Sequence, residues 1–156
     1  MTRKHRIIVG AVLVAAFFIA LAAPAYAAVA DDASYNYYNS GWRFYSYVRL
    51  NDVRTTSNAP VWHSQAWSRS YKYYAPEKTY YAASIDKIYA WAKVEAQGFS
   101  PKTASQTLTN SKQAFADAYL TYPHGGLYQA SSVHRYWEGS LYHYKSLATH
   151  WVQVLP

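Results

Sequence analysis

From Ile88 to Gln97 the chain alternates without a break. Ile88, Ala90, Ala92, Val94 and Ala96 fall on one side, and Tyr89, Trp91, Lys93, Glu95 and Gln97 on the other. Successive side chains of a strand point to opposite faces, so a period of two marks a strand with one buried side. Residues 79–98 are the least polar stretch beyond the N-terminal segment and are read as the central strand of a sheet. Residues 42–50 repeat the pattern, with Trp42, Phe44, Ser46, Val48 and Leu50 opposite Arg43, Tyr45, Tyr47 and Arg49. Residues 61–74 and 113–120 follow it as well, 127–137 more weakly, and 141–155 form a last apolar and aromatic segment. Turn-forming clusters separate these runs: Asn51-Asp52, the loop 54–60, Ala75-Pro76-Glu77-Lys78, the break 99–102, Pro123-His124-Gly125-Gly126 and Glu138-Gly139-Ser140. The serine- and threonine-rich residues 103–111 are assigned no element.

Several short strands between turns predict an all-β, single-domain antiparallel β-sandwich or a barrel-like relative of it. The alternative is an α+β fold with helices near 85–97 and 111–120. Ser84 would cap the first, Ile85, Ile88, Ala92 and Ala96 would follow its turns, and Gly98 with Pro101 would stop it. Alanine is the best helix former and a poor strand former, which favours that alternative. Against it, the first helix would carry Lys87, Trp91, Lys93 and Val94 with no clear polar side.

The N-terminal segment stands apart. Arg3, Lys4 and Arg6 precede an apolar run over residues 7–23, and Ala25-Tyr26-Ala27 closes it. This layout is that of a secretory signal peptide, cleaved after Ala27. The expected domains are the leader 1–27, a flexible lead-in 28–41 and one globular domain over 42–156. Of 15 basic and 8 acidic residues, the leader carries three basic and no acidic ones, so a net charge of +7 becomes +4 on cleavage. The basic residues are spread singly, whereas nucleic-acid binding uses a concentrated patch, so no nucleic-acid partner is expected. With no cysteine, the fold rests on packing alone and thiol chemistry is excluded. A small disulfide-free secreted chain points to a bacterial exporter.

Candidate chemistry is sparse. The histidines beyond the leader (His63, His124, His134, His143 and His150) show no metal-ligand spacing, although the last three could meet from neighbouring strands with Glu138. There is no nucleophile elbow, phosphate loop or dinucleotide turn. Glu95 and Asp117 are the carboxylates best placed to be neighbours, as a glycosidase would require. No cofactor is expected, and the balance leans away from an enzyme.

What the chain has in excess is rings: 18 Tyr, 6 Trp and 5 Phe. Broad rings fill pleated surfaces, and tyrosine and tryptophan also suit half-exposed binding faces. Arg43, Tyr45, Tyr47 and Arg49 share one side of a strand, and Tyr89 and Trp91 one side of the central segment. These six are the candidate ligand-binding residues. The expected function is a secreted, non-enzymatic β-rich protein that binds a cell-wall polymer, polysaccharide or other envelope component. Membrane contact would be through the leader only. The alternatives are a bacteriocin-like antimicrobial or toxin protein and a small secreted hydrolase. In composition and leader the chain is similar to small, cationic, cysteine-free bacteriocins and other wall-associated β proteins, a likeness carried by no shared motif.

Overall fold

Alternation at this density leaves each strand one apolar side, and two sheets facing each other are the simplest way to bury it. The computed structural model describes residues 32–54, 60–121 and 125–154; the expected leader and its cleavage point lie outside them. The strands are β1 (Asp32–Asn39), β2 (Trp42–Arg54), β3 (Pro60–Tyr74), β4 (Thr79–Ala82), β5 (Ile85–Ala96), β6 (Lys102–Ser111), β7 (Gln113–Thr121), β8 (Gly126–Glu138), β9 (Leu141–Ala148) and β10 (Val152–Val154). They form two five-stranded sheets, antiparallel throughout, that pack face to face as a sandwich. The all-β expectation holds, and the proposed helices at 85–97 and 111–120 are strands β5 and β7.

Sheet A runs β1-β2-β3, with β4 and β7 sharing the far side of β3. Sheet B runs β6-β5-β8, with β9 and β10 sharing the far side of β8. The two sheets are thus built alike around one long strand each. The first half of β3 pairs with β7 and its end with β4; the first residues of β8 pair with β10 and the rest with β9. A buried hydroxyl sits at each break. Ser70 donates through Oγ to Ala83 O at 2.6 Å, and its N–H reaches Lys112 O at 3.0 Å. Thr149 Oγ1 accepts from Ala130 N at 3.1 Å.

The central segment is not one strand. Residues 79–82 belong to sheet A and 85–96 to sheet B, so the chain crosses between sheets at Ala83 and Ser84. β5 is an inner strand, paired by β6 and β8. Its Ile88, Ala90, Ala92 and Val94 are fully buried, while Tyr89, Trp91, Lys93 and Glu95 point outward and are half-buried. Alanine is tolerated here because the sheets are close. Cα atoms of β3 and β5, and of β5 and β7, approach within 8 Å, against about 10 Å between ordinary stacked sheets. Ala66, Ala114, Ala116, Ala118 and Ala130 face the same gap, and larger side chains would force the sheets apart.

One further expectation is corrected, and one stretch without an assignment receives its element. The lead-in is, from Asp32 onward, strand β1, joined to β2 by a two-residue turn in which Ser40 and Gly41 both have positive φ (51° and 77°). That is the primed geometry whose twist suits a hairpin. β1 alternates weakly in polarity because its inward residues include Tyr35, Tyr37 and Asn39, which disguised it as a polar lead-in. The stretch 103–111 lies in β6, an edge strand whose residues are mostly exposed, so apolar alternation was never required of it. Its Gln106 Oε1 accepts the Phe115 N–H at 2.9 Å and covers part of the open edge of β7.

Candidate functional site

The interior holds an unusual amount of polar chemistry. His134 is completely buried, with Nδ1 2.9 Å from Ser68 Oγ and Nε2 2.7 Å from Ser132 Oγ. Ser68 donates its one proton to Tyr89 O at 2.6 Å, so it accepts from Nδ1–H, and Ser132 donates to Nε2. The network is closed by a neutral imidazole, and burial lowers the His134 pKa to about 3. A parallel relay runs from Ser46 to the Tyr136 hydroxyl at 3.0 Å and on to Tyr45 O at 2.7 Å. Burial pushes the Tyr136 pKa up. These groups resemble a serine–histidine pair in composition only. They have no carboxylate partner and no exposure, and they serve to satisfy one another.

The sequence-predicted residues divide between two surfaces. Arg43, Tyr45, Tyr47 and Arg49 lie on the outer face of sheet A; Tyr89 and Trp91 lie on the outer face of sheet B, on the opposite side of the sandwich. The six therefore do not form one site. On sheet A, β2 pairs with β3 and β3 with β7 so that Tyr47, Trp67 and Phe115 stand in one row across three strands. Their ring centroids are 5.1 and 4.9 Å apart. Tyr45 stacks beside Tyr47 at 6.1 Å. Tyr45, Tyr47, Arg49, Trp67 and Arg69 line a shallow depression of about 310 Å³. A second depression of about 250 Å³ opens where β4 and β7 part along β3, and Arg69 lines both.

Electrostatics on this face favour anions. Arg49 and Arg69 are exposed, and among the described residues neither forms an ion pair with a carboxylate. The one carboxylate at the row's near end, Asp32, accepts from Tyr47 Oη at 2.9 Å. Burial, helped by that bond, pushes the Tyr47 pKa up to about 12, so the phenol remains a neutral donor. Arg43 does not line the depression. Its guanidinium lies over Tyr71 at 4.3 Å and Tyr80 at 5.4 Å. At the other end Asp117 is occupied by His63 at 2.8 Å and Gln65 at 3.4 Å.

The other combinations fall apart in space. Glu95 and Asp117 project from opposite outer faces, so they are not a glycosidase pair. His134 lies in the core, while His143 stacks on Tyr37 at 3.9 Å. Among the described residues no three His, Asp or Glu side chains converge to hold a metal ion. Trp67, Arg69 and Phe115 are the members that sequence reasoning missed. The alternation of β3 already set Trp67 beside Arg69; what was lacking was the β3–β7 register that brings Phe115 to Trp67. No family model, curated protein or solved structure matches the chain.

Proposed function

We propose that this chain is a secreted, non-enzymatic β protein that binds an envelope or extracellular polymer through the outer face of sheet A. The observation that supports it most is the row Tyr47–Trp67–Phe115 flanked by Arg49 and Arg69. Half-exposed rings on a rigid sheet offer flat apolar area at little entropic cost, which suits the faces of sugar rings. Guanidiniums not taken up by carboxylates draw in carboxylate, phosphate or sulfate groups. An anionic polysaccharide or wall polymer has both features. Secretion rests on the leader, with cleavage after Ala27, and intact-mass analysis of the exported protein should find Ala28 at its N-terminus.

The test is sedimentation of residues 28–156 with purified wall polysaccharide. Trp67→Ala is expected to weaken binding about tenfold, the equivalent of ~1.4 kcal/mol, with an unchanged circular dichroism spectrum. Failure of the unaltered protein to sediment with any envelope fraction sinks the reading. Growth inhibition of other strains without such binding would favour the antimicrobial alternative instead.

A further inference from the structure

The outer face of sheet B repeats the chemistry of sheet A with different residues. Lys87 Nζ lies 4.9 Å from the centre of the Trp137 ring, and Trp137 packs on Tyr142 at 5.4 Å. One row away, the Arg135 guanidinium sits 5.3 Å from Tyr89 and 5.9 Å from Tyr144. The β5–β8–β9 register puts Tyr89, Arg135 and Tyr144 side by side across three strands, as Tyr47, Trp67 and Phe115 are on sheet A. Trp91 stands in the next row, opposite Val133. Arg135 and Lys87 are exposed, and among the described residues neither is ion-paired to a carboxylate. Lys93 is, to Glu95 at 2.9 Å, so among the described residues of this outer face Arg135 and Lys87 are the cations held on rings with their charge unmatched.

A cation resting on an aromatic face is oriented without being neutralised. It stays available to an anionic group whose sugar ring lies on the neighbouring aromatics. From this we infer that the outer face of sheet B is a second binding surface for the same class of anionic polysaccharide, so that the chain is bivalent. The inference rests on the reading of sheet A given above. The two surfaces are the opposite faces of one sandwich, and a stiff polymer seated on one points away from the other. Two occupied faces therefore hold two polymer strands. The protein is then a cross-linker, and linking proceeds through effective concentration as well as through affinity.

Residues 28–156 are titrated into long sodium polygalacturonate and, separately, into trigalacturonate. Binding is followed by calorimetry and particle growth by light scattering. The expected result is two trigalacturonate molecules per chain without growth, and with the long polymer a growth that peaks and then dissolves in excess protein. Arg135→Glu and Trp91→Ala, on sheet B, should each abolish growth while one trigalacturonate still binds. Arg69→Glu on sheet A should do the same. Lys78→Glu, in the turn between β3 and β4 and outside both faces, changes charge equally and should cross-link like the unaltered protein. Saturation at one site with no growth overturns bivalency and leaves the sheet A reading standing. So does growth that survives both sheet B substitutions, or growth that Lys78→Glu loses as readily as Arg135→Glu. No binding of either probe by the unaltered protein overturns the inference of a bivalent cross-linker of this polymer class, while the reading of sheet A falls only if sedimentation with the envelope fractions fails as well.

Discussion

Ser68 reaches across the sandwich and donates a 2.6 Å hydrogen bond to the backbone carbonyl of Tyr89, the residue whose ring forms part of the opposite outer surface. A side chain with one atom beyond Cβ spans the gap, which states in one contact how close the sheets are. Ser68→Ala leaves the buried His134 Nδ1–H without its acceptor and takes the hydroxyl bond from that carbonyl, whose residue is also paired through β5 within its own sheet. Leaving buried polar groups unpaired costs about 1–3 kcal/mol, and a loss of about 2 kcal/mol in urea denaturation is expected. Ser68→Leu should do worse, since there is no room for the added carbons.

Acid sensitivity follows from His134. Its folded-state pKa is near 3, below the ordinary 6.5, so between these values the unfolded chain binds a proton that the folded chain refuses. Stability is therefore complete above about pH 6.5 and declines as pH falls toward 3, by up to ~1.4 kcal/mol per unit. His143, lowered by burial and then by Lys145, acts in the same direction. Denaturation midpoints measured from pH 7 to pH 4 should fall, and His134→Gln should flatten the slope even though it lowers stability at pH 7.

Tyr37 and His143 face each other at 3.9 Å with rings 3° from parallel, and Lys145 Nζ lies 3.9 Å from the centre of the Tyr35 ring. Together they fasten β1, the edge of sheet A, to β9, the edge of sheet B. Tyr37→Ala removes an aromatic contact of about 0.5–1.5 kcal/mol beyond its area burial. Because β1 is an edge strand, hydrogen exchange should quicken at its amides before those of β3 or β5 change. Tyr37→Phe should leave exchange as it was.

If arginines attract the polymer to sheet A, its affinity must weaken with salt. The Debye length shrinks from ~30 Å at ~0.01 M to ~3 Å at ~1 M. Binding by Arg49→Gln and Arg69→Gln should show a shallower salt dependence than the unaltered protein. Phe115→Ala should lower affinity severalfold with no change in that dependence, separating ring stacking from charge.

Much of the architecture was legible because each inner strand buries one side. The alternation of β2, β3, β5 and β7 could be read residue by residue, down to the serines of β3 that face inward. The misreadings occurred where burial does not demand apolar residues. β1 turns tyrosines inward at an edge, and β6 is open on nearly every position. The crossing at Ala83 and Ser84 carries no glycine or proline to mark it. For the candidate site, the sequence revealed which side of each strand a residue occupies but not which sheet the strand joins. Tyr47 and Tyr89 looked equivalent, and only the pairing of β2 with β3 and of β5 with β8 sets them back to back. The polar core was illegible for a related reason, since alternation turns the β3 serines inward without telling which group on the other sheet each one meets.

The sharing of one long strand by two short ones also orders events in time. β3 acquires β4 as soon as its hairpin closes, yet its first half waits for β7, with Trp62 opposite Leu120. β5 likewise waits for β8. A partly made chain thus exposes two unpaired strand edges, the kind of surface on which other chains add. Pairings so distant in sequence form slowly, on a scale of ~ms to s. Such a fold is safest when nothing condenses until the last strands have emerged, a schedule that passage through an export channel as an unfolded thread would impose.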